Sequence, residues 1–227
     1  GARGANGVIL VTTKRPVEGR VVISLNTYVQ TKELSNKLDV MDPYEFVLMQ
    51  YENARQKSSN PTAFNNKYGH AYEHYIYQGN AGKDWQDEVF GSNPVAKYVD
   101  LSVNGGTEKT RYLASVNYMD QEGIVKNNGV SRFSARLNLD QELSKYVSFG
   151  LTATYSQNKY DNVPLGDKVN EYSGVLTGAI QSNPTIPIYD SEGNYFIDPK
   201  RPFVANPVSL LEIKDNTVKD RLIGSAF

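Results

Sequence analysis

Residues 97–158 carry the pattern that most limits what this chain can become. Apolar and polar side chains alternate there through four successive runs, and a period of two belongs to the β-strand. In 97–104, Val99, Leu101 and Val103 alternate with Tyr98, Asp100, Ser102 and Asn104. In 109–119, Thr110, Tyr112, Ala114, Val116 and Tyr118 share a face opposite Lys109, Arg111, Ser115 and Asn117, with Leu113 as an apolar exception. In 132–140, Phe133, Ala135, Leu137 and Leu139 alternate with Arg132, Ser134, Arg136, Asn138 and Asp140. In 146–158, Val147, Phe149, Leu151, Ala153 and Tyr155 alternate with Ser148, Gly150, Thr152, Thr154 and Ser156. The Asn104-Gly105-Gly106-Thr107 run is expected to supply the positive-φ residues of a tight hairpin turn.

Two architectures accept this alternation. A soluble antiparallel sandwich buries the apolar face under a second sheet and wets the other. A transmembrane β-barrel turns the apolar face to lipid and the polar face to an aqueous lumen, with aromatic girdles at the interfaces. Run length separates them. These strands span roughly 8–13 residues, against about 5–6 in globular sheets and about 9–11 for a tilted strand crossing a bilayer. Tyr118, Tyr146 and Tyr155 sit near strand ends, where a girdle would need them. The low mean hydropathy of −0.51 suits both, because a barrel strand is apolar only at alternate positions.

Composition removes other classes. A net charge of −1 gives no electrostatic case for nucleic acid. With no cysteine, a disulfide scaffold, cysteine-ligated zinc and thiol chemistry are all excluded. Gly1, Gly4 and Gly7 suggest a phosphate loop, but no strand precedes them and the β-branched run 8–13 follows where a helix would be required. His70 and His74 fit the H-x-x-E-H spacing of an inverted zinc-protease motif. They are the only histidines and no third ligand stands out, so the segment reads as a solvent-facing loop. Asp190, Glu192 and Asp198 lack the spacing of a twelve-residue calcium loop and read as a polar turn. No catalytic residue, metal or cofactor is expected.

Between the strands lie two long insertions. A further alternating strand spans 20–31 (Val21, Ile23, Leu25, Thr27 and Val29 on one face). After it, 32–96 holds one well-signalled helix, with Asp42 as N-cap, Pro43 at the first position, Glu45 completing a capping box and an end near Arg55 or Lys57. Met41 and Phe46 are spaced for a hydrophobic staple. The insertion is rich in aromatics. In 159–218, Tyr172, Val175, Leu176, Ala179 and Ile180 predict a short helix ending near Ser182, and a sixth strand begins at about 219. Connections after the first strand run long (32–96), short (105–108), medium (120–131), short (141–145) and long (159–218). Outer-membrane barrels keep such parity, with short periplasmic turns and longer extracellular loops. A sandwich has no reason to.

Several motifs resemble one family. Ala5-Asn6-Gly7-Val8-Ile9-Leu10-Val11-Thr12-Thr13-Lys14 resembles the strand that closes the plug of SusC-like (RagA-like) TonB-dependent outer-membrane transporters. The 101–112 hairpin, the 118–125 turn, Asp84-Trp85-Gln86-Asp87, and the stretches 183–195 and 206–212 resemble further elements of that group. The resemblance implies an all-β fold: an antiparallel transmembrane β-barrel portion of about six strands, with long extracellular loops containing short helices, preceded by the last plug strand. It implies a plug end at 1–15, a linker at 16–19 and the first part of the barrel at 20–227, within a longer protein of about 22 strands. The absence of an initiator Met and a last strand that has barely begun fit a piece of a longer chain. Six strands alone would leave two unpaired edges. The resemblance further implies a non-enzymatic outer-membrane importer of glycans or peptides, capped by a SusD-like surface lipoprotein and driven by TonB–ExbB–ExbD. Trp85 is expected to anchor structure. Tyr68, Tyr72, Tyr75 and Tyr195 are the candidate substrate contacts, since their rings could stack on sugar faces. The competing function is a secreted carbohydrate-binding β-sandwich.

Overall fold

The computed structural model describes residues 15–57, 61–166, 174–199, 201–202 and 204–227. The expected plug strand and Tyr172 lie outside them. Six strands form one antiparallel sheet in chain order: β1 (Gly19–Thr31), β2 (Val95–Gly106), β3 (Thr110–Glu122), β4 (Gly129–Ser144), β5 (Val147–Asn162) and β6 (Asp215–Ala226). All six strands expected of the barrel portion are present, and most are longer than alternation marked them. β4 was expected over 132–140 but extends to Ser144, because Gln141 and Glu142 continue the ladder with Phe149 and Ser148. Cross-strand pairing, rather than local pattern, sets its ends. Tyr146 falls in the β4–β5 turn, one residue before the strand.

Of the glycines in the β2–β3 hairpin, Gly106 has the expected positive φ, +157°, but neither lies in the turn itself. The ladder runs through Gly105 and Gly106, and the turn is 107–109. What requires glycine is close approach: a Cβ on Gly106 would lie 2.2 Å from the Thr110 carbonyl oxygen, and one on Gly105 would lie 3.0 Å from the Val21 Cα.

Parity survives intact. The connections are 32–94, 107–109, 123–128, 145–146 and 163–214. In an antiparallel meander the first, third and fifth emerge at one end of the sheet, so every long connection gathers there. They hold α1 (Pro43–Lys57), α2 (Thr62–Tyr68), a 3-10 helix (Ala71–Tyr77), α3 (Trp85–Val89), α4 (Val175–Gln181) and α5 (Pro207–Leu210). The capping box at α1 is formed: the Glu45 amide donates to Asp42 Oδ1 at 2.8 Å, and the Asp42 amide donates to Glu45 Oε2 at 3.2 Å. The sequence signalled α1 and the end of α4. It did not signal α2 or the 3-10 helix, nor α3 and α5, which at five and four residues are too short to show a period.

The buried apolar core lies in these connections, with little of it in the sheet. Trp85, Val89, Val125, Val163, Val175, Ala179, Ile188, Leu210 and Leu211 form one cluster that draws on all three long connections. Val47, Phe64 and Tyr68 form a second. Among the described residues no helix is long and apolar enough to cross a membrane.

Candidate functional site

The sheet is inverted relative to a water-soluble one. Its register aligns whole rows of side chains across all six strands. One row is Leu25, Leu101, Val116, Ala135, Tyr155 and Leu222, and the next is Ile23, Val103, Ala114, Leu137, Ala153 and Gly224. This apolar face is open: Val99, Leu101, Val116, Phe133, Leu137 and Phe149 are all exposed, Leu137 at 41%. The polar face is crowded. Asp100, Ser102, Ser115, Asn117, Ser134 and Arg136 are half-buried, and Asn138 is only 5% exposed, beside the buried Leu113. Side chains converge on a concave surface and diverge on a convex one, so this sheet curves with its polar side inward. Among the described residues no second sheet covers the apolar face, which a sandwich would require.

The apolar band has boundaries. At the long-connection end, the row Lys97, Asp120, Ser131 and Lys159 brings charge to the outer face, just beyond Tyr118 and Phe133. From Val147 to Tyr155 the strand rises about 27 Å at about 3.4 Å per residue, or about 21 Å along the normal for a tilt near 40°, close to the ~25 Å apolar band of outer-membrane barrels. At the short-turn end, Pro16 is buried and the Val17 amide donates to Asn104 Oδ1 at 3.4 Å. Asn104 belongs to the polar face, so the chain enters β1 along that inner face.

The connections form a stitched layer at the other end. Asp84 caps α3 by accepting from the Gln86 amide at 2.9 Å. The Trp85 indole, 2% exposed, donates to the Asn183 carbonyl at 3.0 Å, joining the first long connection to the last. The Gln86 side chain, also buried, accepts from the Leu38 amide at 3.0 Å and donates to the Leu38 carbonyl at 2.8 Å. Lys37 pairs with Asp84 and Asp87. Each residue of the 84–87 motif therefore holds the loop in shape, and Trp85 is an anchor as expected. The role of Gln86 was not legible, since a buried amide leaves no sequence pattern. Asn127 ties the middle connection in by donating to the Leu211 carbonyl at 3.0 Å.

The four tyrosines singled out from sequence occupy different environments. Tyr68 is buried, and its hydroxyl accepts from Asn183 Nδ2 at 3.3 Å. Tyr72 and Tyr75 stand out from the 3-10 helix, 75% and 69% exposed. Tyr72 stacks on His70 with ring centroids 5.5 Å apart. Tyr195 is half-buried, 5.2 Å from the Tyr189 ring, and its hydroxyl donates to Glu212. That charge-assisted bond pushes the phenol up to about 12. The structure thus brings together no cluster of all four.

The reading of 70–74 as a solvent-facing loop needs correction. His70 is exposed, but His74 is 3% exposed, boxed edge-on by Tyr51 and Phe64, with Nε2 3.2 Å from the Gly69 carbonyl oxygen. Glu73 is occupied by the His70 amide at 2.6 Å. The motif is a packed 3-10 turn, and the described residues hold no group of three His, Cys, Asp or Glu side chains placed for a metal ion. Asp190 does form a polar turn, accepting from the Glu192 and Asn194 amides, each at 2.9 Å.

No protein-family model matches the chain. Among curated proteins it is 30% identical to TonB-dependent receptor P3 of Formosa agariphila over 92% of its own length and 19% of that protein's. It is 30% identical to TonB-dependent receptor P26 of the same organism over its full length and 22% of that protein's. It is 28% identical to TonB-dependent receptor SusC of Bacteroides thetaiotaomicron over 86% of the chain and 17% of that receptor. Among solved structures, the fold matches the RagAB peptide importer in its "open-open" state with a TM-score of 0.73, at 21% identity, over all of this chain and 28% of that one. A structure of the RagAB peptide transporter gives 0.71 at 22% identity. The chain spans about a fifth of the length of the curated relatives it matches. Over nearly all of its length this chain is a homologue of TonB-dependent receptors, SusC among them, and it has the fold of the corresponding part of the RagAB barrel.

Proposed function

We propose that the chain is the first part of an outer-membrane importer of the SusC type. Residues 1–15 end the plug, 16–19 link it to the wall, and 20–227 begin a barrel that the rest of the protein closes through the free edges of β1 and β6. The observation that carries this reading is the inverted sheet: an open apolar face and a crowded polar one make sense only if the outside is lipid and the inside is wet. The loop layer then faces the cell exterior. The cargo is a glycan or a peptide, passed inward by gated binding with no covalent step and with energy from TonB–ExbB–ExbD. A SusD-like lipoprotein covers the loop layer. Tyr72 and Tyr75 are the cargo- or partner-facing tyrosines of the four, because both stand exposed, Tyr72 with one ring face on His70, whereas the hydroxyls of Tyr68 and Tyr195 are engaged by Asn183 and Glu212.

Uptake of labelled oligosaccharides and of labelled short peptides, by cells with and without the full-length gene, tests the reading. At least one cargo should enter only in producing cells, and an uncoupler that collapses the proton-motive force should stop it. Entry that is indifferent to the gene or to the uncoupler would contradict it.

A further inference from the structure

We infer that the cavity between the first and last long connections is a binding site for a carboxylate-bearing ligand. The cavity measures about 350 Å³, at the lower end of the range for small-molecule sites. One wall is a single face of α1, where Phe46, Gln50, Asn53 and Lys57 follow one another at helical spacing. The adjoining face of α1, with Val47 and Tyr51, is already used against Phe64 and Tyr68. Phe46 packs against the same cluster, and beyond it Gln50, Asn53 and Lys57 carry the cavity-side face along the void. Tyr68, Asn183 and Phe196 are among the residues that close the remaining sides.

The charge in this cavity is unbalanced. Lys57, Lys67 and Arg201 line it against a single carboxylate, Asp198. Lys67 is held over the Tyr68 ring, its ammonium 5.1 Å from the centroid. It lies 3.9 Å from Asp198, with side chains 27% and 15% exposed. That separation is an ion pair without a hydrogen bond, so the three ammonium donors are not spent on Asp198. A partly desolvated cation with spare donors attracts an anion more strongly than one in bulk water. The Arg201 guanidinium offers a planar fork suited to a carboxylate. On α1, the Gln50 and Asn53 amides make contacts only to the Met49 sulfur among the described residues, which leaves their carbonyl oxygens for hydroxyl or amide donors. The set matches a carboxylate attached to a small polar body. A uronic acid unit and the C-terminal residue of a peptide both present that chemistry. The assignment rests on the transport reading only for the side of the membrane that the cavity faces.

Calorimetric titration of the purified full-length receptor in detergent tests it. Four probes are needed: trigalacturonate, maltotriose, trialanine and C-terminally amidated trialanine. At least one carboxylated probe should bind, and about tenfold or more tighter than its neutral counterpart, as expected for hydrogen bonds to a charged group. Which of the two binds identifies the source. Lys67→Gln and Arg201→Gln should each weaken that probe about tenfold, while Lys67→Arg stays within about threefold. Arg201 is exposed, so its variant decides the matter if Lys67→Gln lowers the unfolding temperature. Equal affinity for charged and neutral probes, unchanged affinity in Arg201→Gln, or no binding of either carboxylated probe at millimolar concentration would overturn the assignment. A receptor that imports cargo yet fails these titrations refutes the site and leaves the transport reading standing.

Discussion

Replacing Leu137 by Arg separates a lipid-facing sheet from a water-facing one. Leu137 is exposed, and on a soluble protein an exposed position usually tolerates substitution within about 0.5 kcal/mol. Its row is near the middle of the apolar band. From Leu137 the strand runs about 20 Å to the level of Ser131, beside Asp120 and Lys159, and about 13 Å to Gln141 at the other limit. With a tilt near 40°, the guanidinium would start roughly 15 Å and 10 Å from the two boundaries. An Arg at that depth in a barrel wall costs about 2–4 kcal/mol, and near an interface about 0–1. A cost of 3 kcal/mol lowers the folded-to-unfolded ratio by roughly two orders of magnitude, at about 1.4 kcal/mol per tenfold. The assay is denaturant unfolding of the full-length receptor refolded into lipid vesicles, with Ser131→Arg, at the boundary level of the same strand, as the control. The account requires Leu137→Arg to be the costlier by at least about 1.5 kcal/mol. Equal and small effects would refute the placement of this face in lipid.

Three further outcomes follow from the loop layer. Trp85→Ala removes the anchor between the first and last connections, and truncating a buried aromatic costs about 3–5 kcal/mol. Hydrogen exchange should accelerate around 85–90 and 175–188 while the amides of β3 and β4 stay protected. Gly82 has φ +60°, and a Cβ there would meet Pro43 Cγ at 2.3 Å and the Pro184 carbonyl oxygen at 2.9 Å. Gly82→Ala should therefore destabilise the layer by more than about 1 kcal/mol, read as a drop in its local exchange protection. Tyr195 is pushed up to about 12 because its neutral phenol donates to Glu212, against about 10 in an unfolded chain. A raised value means that the stabilisation is complete below about pH 10 and fades as pH climbs through 12. Ultraviolet titration of the native receptor should show a late phenolate step that Tyr195→Phe abolishes.

The sheet was legible because its physics is periodic. Alternation at Val99–Leu101–Val103 or Phe133–Ala135–Leu137 fixes both strand and face, and connection parity orders the strands without any contact information. Strand ends were less legible, since Gln141 and Glu142 extend β4 only through partners on β5. The loop layer was the least legible. α3 is too short to show a period, yet Trp85, Gln86 and Lys37 fix its place through bonds to residues as distant as Asn183. His74 illustrates the same limit. Its Tyr- and Gly-rich surroundings look like solvent-facing loop, and only the fold brings Tyr51 and Phe64 around it. The aromatic candidates divide for a related reason. Composition cannot tell Tyr72, which projects outward, from Tyr68, which packs inward.

Single cysteines placed along 133–137, where the chain has no native cysteine, test the central claim most directly once any cysteine elsewhere in the full-length receptor is replaced by serine. Each would carry a fluorophore in the full-length receptor reconstituted into vesicles. Quenching by spin-labelled lipid should be strong at Phe133, Ala135 and Leu137 and weak at Ser134 and Arg136. A water-soluble quencher should fail to reach the odd positions. The opposite phase, or odd positions shielded from lipid and water alike, would contradict a wall whose apolar side meets the bilayer.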